Sequence, residues 1–169
     1  MRNMGEACTS ANRILVHRSV LDEFGRRLTE RMASLTVGDG TAEGTDVGPL
    51  VEEKAVDKVA ELVDDAVSRG AAVLTGGTRG EGPGFFYPPT VLTGVTPDAR
   101  LMSTEIFGPV AALVPFDTDD EAVALANDTE YGLVSYVMTE NLDRAMTMSE
   151  RLQAGMVGIN VGVVSNPAA

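Results

Sequence analysis

The feature that most restricts the fold is the alternation of short strand-like runs with segments of helical periodicity. The β-branched run Ile14-Leu15-Val16 precedes a segment in which apolar residues recur every four positions from Val20 to Met32. The longer apolar run Val110–Phe116 is followed in the same way by a helical segment that reaches Asn127. Short strands separated by helices form βαβ units with parallel strands. The sequence therefore predicts an α/β fold with a mostly parallel open sheet and flanking helices.

Capping residues locate the ends of several elements. Ser19 with Asp22, and Thr118 with Glu121, have the spacing of capping boxes, and Asn141 is a suitable N-cap for another helix. The segment over 76–84 is rich in glycine and is predicted to be a loop, whereas 71–74 and 156–160 are predicted to be buried strands. The remaining predicted strands are 14–16, 85–87, 90–92, 110–116 and 135–138, and the predicted helices are 20–32, 52–69, 118–127 and 141–154.

Charge and length limit the class of function. The chain has 169 residues, which fits one domain, and a net charge of −12 from 13 Lys and Arg against 25 Asp and Glu. Nucleic-acid binding requires clustered basic residues that neutralise phosphates, so a nucleic-acid partner is not expected. The apolar run Val110–Phe116 is too short to span a bilayer, and no membrane partner is expected.

The counts of cysteine and histidine restrict the chemistry further. A single cysteine, Cys8, cannot form an internal disulfide, which is typical of a reducing compartment, and we predict a cytoplasmic location. His17 is the only histidine, so no metal site is predicted.

The segment around Cys8 is the first candidate for catalytic chemistry. Gly5 permits a close backbone approach, and Cys8 lies in a turn-like stretch before a predicted strand. Both features suit a nucleophile presented to a substrate. The alternative is a small buried side chain without chemistry, which is the common role of a lone cysteine.

A second candidate motif is Glu105-Ile106-Phe107-Gly108-Pro109-Val110. A carboxylate can accept hydrogen bonds from two hydroxyl groups, so Glu105 suits a ligand that offers paired hydroxyls. The alternative makes Glu105 a charge at a helix end and Phe107 a core residue before a Gly-Pro turn.

Together these two motifs resemble the aldehyde dehydrogenase superfamily. Its nucleophile loop has a glycine, Gln or Glu, any residue and the cysteine, with an arginine five residues on; Gly5, Glu6, Cys8 and Arg13 follow this order. Glu6 stands where Gln is usual. The resemblance implies that Cys8 adds to an aldehyde as a thiolate, forming a hemithioacetal and then a thioester that water cleaves.

The resemblance also implies a coenzyme and further groups. By this resemblance, Glu105 would bind the nicotinamide ribose of NAD or NADP, and Phe107 would pack beside the nicotinamide ring. An upstream asparagine and glutamate, outside this chain, would complete the oxyanion site and supply the base. Because one missing oxyanion donor costs roughly a hundred- to a thousandfold in rate, we expect little turnover from this chain alone.

Domain organisation follows from the same resemblance. Residues 1–169 are expected to form part of the catalytic domain, with the coenzyme-binding domain and the C-terminal end absent. The parent enzyme would be a homodimer or homotetramer.

Two residues limit the range of aldehydes that are expected as substrates. Arg2 and Ser165 resemble the pair that grips the distal carboxylate in succinate-semialdehyde dehydrogenases. A guanidinium and a hydroxyl are suitable donors for a carboxylate. Succinate semialdehyde is therefore the favoured aldehyde, and a different aldehyde is the alternative.

Two non-dehydrogenase alternatives stay open. The chain could be a truncated, non-catalytic remnant that acts at most as an interaction module. A thiol redox function for Cys8 is disfavoured because the chain has no second cysteine to resolve a sulfenic acid.

Overall fold

The structure, a computed structural model, describes residues 2–80 and 82–164. The chain divides into two compact units, Met1–Pro115 and Phe116–Ala169. The elements in chain order are strand β1 (Ile14–His17), helix α1 (Leu21–Ala33), helix α2 (Glu53–Ser68), strands β2 (Ala72–Thr75), β3 (Thr90–Thr93) and β4 (Val110–Phe116), helix α3 (Asp119–Asn127), strand β5 (Val134–Val137), helix α4 (Leu142–Arg151) and strand β6 (Met156–Ile159). Short 3-10 helices cover Arg2–Gly5, Arg18–Val20 and Arg100–Met102.

The first unit is built on a four-stranded sheet in the order β1-β4-β3-β2. Strands β3 and β4 are parallel, with Thr90 opposite Val110, and β2 pairs with β3 in the antiparallel sense. Strand β4 is almost entirely buried because it is a central strand of this sheet. Helix α1 contributes Met32 to the core cluster that it shares with the sheet, which also contains Val16, Val91, Ala111 and Leu113.

The second unit contains a two-stranded parallel sheet, β5 and β6, with α3 and α4. Its small core consists of Ala122, Val123 and Met148, against which Phe116 and Val137 pack. Thr118 caps α3 by accepting a hydrogen bond from the Glu121 N–H at 3.2 Å.

The predicted fold class is confirmed, since parallel strand pairs and flanking helices occur as the alternating pattern required. The caps at Thr118 and Asn141 are also confirmed, because the Asn141 side chain accepts a hydrogen bond from the Arg144 N–H at 2.8 Å. The predicted cap at Ser19 is wrong. Residues 18–20 form a 3-10 turn before α1, and the imidazole of His17 accepts the hydrogen bond from the Ser19 N–H.

Three of the predicted strands differ from the structure, either in their secondary structure or in their burial. Residues 85–87 form no strand, because Pro88 and Pro89 follow and have no N–H to donate to a ladder. The segment bonds instead to a loop, where the Leu50 N–H donates to the Phe85 carbonyl at 2.8 Å. Strand β2 is an exposed edge strand rather than a buried one, with Val73 and Leu74 each 41% exposed. Strand β6 is only partly buried, since Met156 and Ile159 are each 38% exposed whereas Gly158 is buried.

Within the described residues, no helix is long and apolar enough to cross a membrane.

Thr90 fixes the start of β3 next to β4. Its side chain is fully buried, and its hydroxyl donates to the Pro88 carbonyl and accepts from the Gly77 N–H, both at 2.9 Å. Its own N–H donates to the carbonyl of Pro109, the residue before β4, at 2.8 Å. One buried threonine therefore joins the 76–77 turn, the 88–90 segment and the entry to β4.

We predict that Thr90→Val lowers the free energy of unfolding by about 1–3 kcal/mol, because the valine keeps the shape but leaves the Gly77 N–H and the Pro88 carbonyl without their partner. Denaturant unfolding of the purified protein measures this change. Thr78→Val, at an exposed position close by, is the matched control and should stay within about 0.5 kcal/mol of the parent. Equal stability of both variants would contradict the role given to Thr90.

Candidate active site

The loop that carries Cys8, residues 3–10 and called here the Cys8 loop, consists of two successive turns. The Glu6 N–H donates to the Asn3 carbonyl at 2.7 Å, and the Ser10 N–H donates to the Ala7 carbonyl at 2.8 Å. Cys8 lies inside the second turn and is exposed. The Cys8 residue is therefore exposed, and its N–H takes part in neither turn hydrogen bond.

The entry to the Cys8 loop has a strained backbone. Asn3 and Met4 have φ values of 46° and 54°, and Gly5 follows with a φ of 84°. A left-handed conformation costs an ordinary residue roughly 1–2 kcal/mol, so the surrounding structure must hold these residues in place. Strain of this kind is concentrated at functional sites, where it fixes a geometry that a relaxed chain would not adopt.

A second loop, residues 103–109 and called here the Glu105 loop, carries the other predicted motif. Glu105 is exposed, whereas Ile106 is only 2% exposed and anchors the loop. Phe107 is half-buried and has a φ of 52°, so this loop is strained as well. The Lys58 ammonium lies 5.9 Å from the centroid of the Phe107 ring, which is within the range of a cation–π interaction.

The two loops touch through glycine backbone. A Cβ added at Gly5 would overlap the carbonyl group of Gly108. A Cβ added at Gly108 would lie 2.5 Å from Val59 Cγ2 on α2. Both glycines are buried. The Cys8 loop, the Glu105 loop and α2 are thus packed at a distance that only glycine permits at these two positions.

Asn12 adds a polar link between the two segments. Its Nδ2 donates to the carbonyls of Leu101 at 2.8 Å and Thr104 at 3.3 Å, and its Oδ1 accepts from the Ile106 N–H at 2.7 Å. The side chain therefore bonds three backbone groups of the segment that leads into and through the Glu105 loop.

The 3-10 helix Arg100–Met102, which precedes the Glu105 loop, is tied to α2. The Asp65 carboxylate accepts from the Arg100 N–H at 2.8 Å and from Arg69 Nε at 3.0 Å. The hydrogen bond from the Arg100 N–H is the largest cause that holds the pKa of Asp65 below its usual value, and Arg69 adds to the effect. The loop therefore starts from a fixed point.

The structure places Cys8, Glu105 and Phe107 on two loops that contact each other, although the motifs are far apart in sequence. The side chain of Arg2 and the whole of Ser165 lie outside the described residues. Glu6 is half-buried, and its Oε1 accepts from the Val51 N–H at 3.3 Å. The amide oxygen of glutamine could accept the same bond, so a glutamate at this position preserves the contact.

Sequence reasoning missed Asn12 and Lys58. Asn12 lies within the nucleophile motif, four residues after Cys8, but its polarity gave no indication that its partners are near residue 104. Lys58 lies on a helix with several charged residues, and only the fold shows that it faces Phe107.

Among the residues that the structure describes, no three His, Cys, Asp or Glu side chains are grouped so as to hold a metal ion.

Comparison with known proteins gives a consistent result. The family model described as "Aldehyde dehydrogenase family" matches residues 1–169. The chain is 47% identical over 169 residues to the succinate-semialdehyde dehydrogenase of Paenarthrobacter nicotinovorans, covering 100% of this chain and 38% of that protein. It is 46% identical over 168 residues to the glutarate-semialdehyde dehydrogenase of Pseudomonas putida, covering 99% of this chain and 35% of that protein.

Solved structures of related proteins have the same fold. The crystal structure of succinate-semialdehyde dehydrogenase from Burkholderia pseudomallei superposes with a TM-score of 0.97 at 45% identity, covering 99% of this chain and 35% of that one. The chain therefore spans little more than a third of the length of the proteins that it resembles.

We predict that Gly5→Ala destabilises the protein by about 2–5 kcal/mol, because the methyl group adds a clash with Gly108 to the cost of a left-handed alanine. Gly44→Ala is the matched control: Gly44 has a φ of 82°, close to that of Gly5, but a Cβ there meets nothing within 4 Å. This control should be destabilised only by the strain of a left-handed alanine, about 1–2 kcal/mol. Denaturant unfolding compares the two variants, and equal losses would show that the contact between the loops is not tight.

Proposed function

The chain belongs to the aldehyde dehydrogenase family, and we propose that it supplies the nucleophile and the nicotinamide-ribose contact of an NAD(P)+-dependent aldehyde dehydrogenase. The favoured substrate is succinate semialdehyde, which is oxidised to the acid. The observation that carries this proposal is the glycine contact between the Cys8 loop and the Glu105 loop. Residues 1–169 are then part of a catalytic domain.

Cys8 provides the covalent step. Its thiolate Sγ adds to the carbonyl carbon of the aldehyde, and the electron pair of the C=O bond moves to the oxygen. The Cys8 N–H, which the two turn hydrogen bonds leave unused, is a suitable donor for that oxyanion. The exposure of the thiol leaves room for an aldehyde to approach it.

The Glu105 loop fits the ribose and ring of a nicotinamide coenzyme. The exposed carboxylate of Glu105 can accept hydrogen bonds from two ribose hydroxyls, and the half-buried Phe107 offers an apolar face. When bound, the coenzyme accepts the hydride that leaves the carbonyl carbon. Cys8 is then released from the resulting thioester by water, which regenerates the thiolate. The preference for NAD or NADP is left open, since the adenosine end would be bound by the coenzyme-binding domain.

The substrate assignment rests on Arg2 and Ser165 and on the relatives. The names of the two curated relatives describe semialdehydes of dicarboxylic acids, each with an aldehyde at one end and a carboxylate at the other. A guanidinium forms paired, charge-assisted hydrogen bonds with such a carboxylate, and a hydroxyl adds another donor. These residues would select an acidic aldehyde over a neutral one, and glutarate semialdehyde is the nearest competitor.

The remaining assignments are part of the same proposal. A homodimer or homotetramer in the cytoplasm is proposed for the full-length enzyme, and the single cysteine of these 169 residues is typical of a reducing compartment. We propose no nucleic-acid partner, because the net charge of −12 opposes binding to phosphate groups.

We predict that Cys8→Ser abolishes the oxidation of succinate semialdehyde by the full-length protein that carries this chain, because a serine hydroxyl is far less ionised than a thiol at neutral pH. Coenzyme reduction followed at 340 nm measures the rate. The control adds Ser10→Cys to Cys8→Ser, which moves the thiol two positions along the same turn and should not restore activity.

Alkylation of the parent protein by iodoacetamide separates an enzyme from a remnant. Cys8 that reacts much faster than a free thiol at neutral pH indicates an activated nucleophile. An ordinary alkylation rate together with retained turnover in Cys8→Ser would refute the proposed mechanism.

We predict that Arg2→Ala raises KM for succinate semialdehyde about 10- to 100-fold, as expected for the loss of charged hydrogen bonds of about 1.5–3 kcal/mol. KM for butanal, which has no carboxylate, should change less than twofold. Arg31→Ala, at an exposed position on α1, is the control for a general effect of lost charge. Equal changes for both aldehydes would remove the argument for an acidic substrate.

A further inference from the structure

The side-chain amide of Asn12 forms hydrogen bonds only with backbone groups in and just before the Glu105 loop. Its two Nδ2 hydrogens go to the carbonyls of Leu101 and Thr104, and its Oδ1 accepts from the Ile106 N–H at 2.7 Å. An asparagine side chain has two donors and one carbonyl acceptor, so each of its functional atoms is used. The side chain is half-buried, which strengthens these hydrogen bonds relative to exposed ones.

The bond to Ile106 bears directly on Glu105. The Ile106 N–H belongs to the peptide group that follows the Glu105 α-carbon, so Asn12 Oδ1 fixes the plane of that peptide. The Ile106 side chain is buried at 2% exposure. The backbone next to Glu105 is thus restrained both by the Asn12 hydrogen bond and by the burial of Ile106.

The next residue shows why this restraint is needed. Phe107 has a φ of 52°, a conformation that a bulky residue does not adopt unless its surroundings impose it. The glycine contact at Gly5 and Gly108 holds the loop after Phe107, and Asn12 holds it before Phe107. The strained residue lies between two fixed points.

The position of Asn12 in the chain gives the restraint a functional meaning. Asn12 lies two residues after the Cys8 loop and two residues before β1, which is part of the main sheet. A link from Asn12 to Glu105 therefore relates the segment that carries the nucleophile to the segment that carries the ribose acceptor.

We propose that Asn12 is a positioning residue that sets Glu105 and Phe107 relative to Cys8, so that coenzyme binding depends on it more than aldehyde binding does. This inference rests on the proposed function. Asn12 touches neither substrate nor coenzyme in this role and acts through the backbone of residues 101–106.

The experiment compares Asn12→Ala and Asn12→Asp with the parent in the full-length protein that carries this chain. Alanine removes all three hydrogen bonds. Aspartate keeps an acceptor for the Ile106 N–H but sets a carboxylate oxygen against the carbonyls of Leu101 and Thr104. KM for NAD+ and for NADP+, KM for succinate semialdehyde, kcat and the midpoint of thermal unfolding are measured for each protein.

Asn127→Ala is the matched control. Asn127 also bridges backbone groups, since its Nδ2 donates to the Arg151 carbonyl at 3.0 Å and its Oδ1 accepts from the Gln153 N–H at 2.9 Å. It belongs to the second unit, at the end of α3. Loss of the Asn127 side chain should lower the midpoint of thermal unfolding. It should not change the ratio of the coenzyme KM to the KM for succinate semialdehyde.

A second readout does not depend on turnover. The rate of Cys8 alkylation by iodoacetamide is measured with and without coenzyme. In the parent the bound coenzyme is expected to change this rate, because the two loops are in contact. In the Asn12 variants the rate without coenzyme should stay within about twofold of the parent, and the coenzyme effect at a parent-saturating concentration should be lost.

The inference is supported if both Asn12 variants raise the coenzyme KM at least about tenfold while the KM for the aldehyde changes less than twofold. The coenzyme KM of Asn127→Ala should stay at the parent value. The inference is overturned if the coenzyme KM is unchanged, if all three variants lose activity in proportion to their unfolding midpoints, or if neither Asn12 variant folds. A parent protein without coenzyme-dependent oxidation would instead refute the proposed function, and the inference with it.

Discussion

The contact between Gly5 and Gly108 is the constraint on which the arrangement of this site depends. A side chain at Gly5 would occupy the place of the Gly108 carbonyl, and a side chain at Gly108 would collide with Val59 on α2. Protein interiors are packed so densely that such overlaps cannot be absorbed without moving backbone. The position of the Cys8 loop therefore requires glycine at both positions and the packing of Gly108 against α2.

The segments on both sides of the Glu105 loop are hydrogen-bonded to the sheet and to α2. Strand β4 continues directly from the Glu105 loop, and Thr90 bonds the residue before it at the Pro109 carbonyl. On the other side, Asp65 of α2 holds the N–H of Arg100 ahead of the loop. Three of the four non-glycine residues with positive φ in the described chain, Asn3, Met4 and Phe107, lie in the two loops or at their entry. Strained loops on a rigid support are a common way to present reactive groups.

Local sequence signals predicted the helices well and several strands less well. Thr118 and Asn141 cap their helices as expected, because a cap needs only residues three positions apart. The cap at Ser19 failed because the preceding histidine supplies the acceptor and a 3-10 turn intervenes. The strand over 85–87 failed because two prolines follow it, and the buried strand over 71–74 is an exposed edge. Burial of a strand depends on what covers the sheet, which its own residues do not specify.

The sequence by itself determined the fold class and indicated Cys8 and Glu105 as candidate site residues, because these inferences depend on the chemistry or periodicity of neighbouring residues. It also carried the resemblance that the family comparison confirmed. Only the tertiary structure decided that Gly5 meets Gly108 and that Asn12 bonds residues 101–106. The physical reason is that such contacts join segments about 90 to 100 residues apart, whose approach is set by the packing of α2 and the sheet.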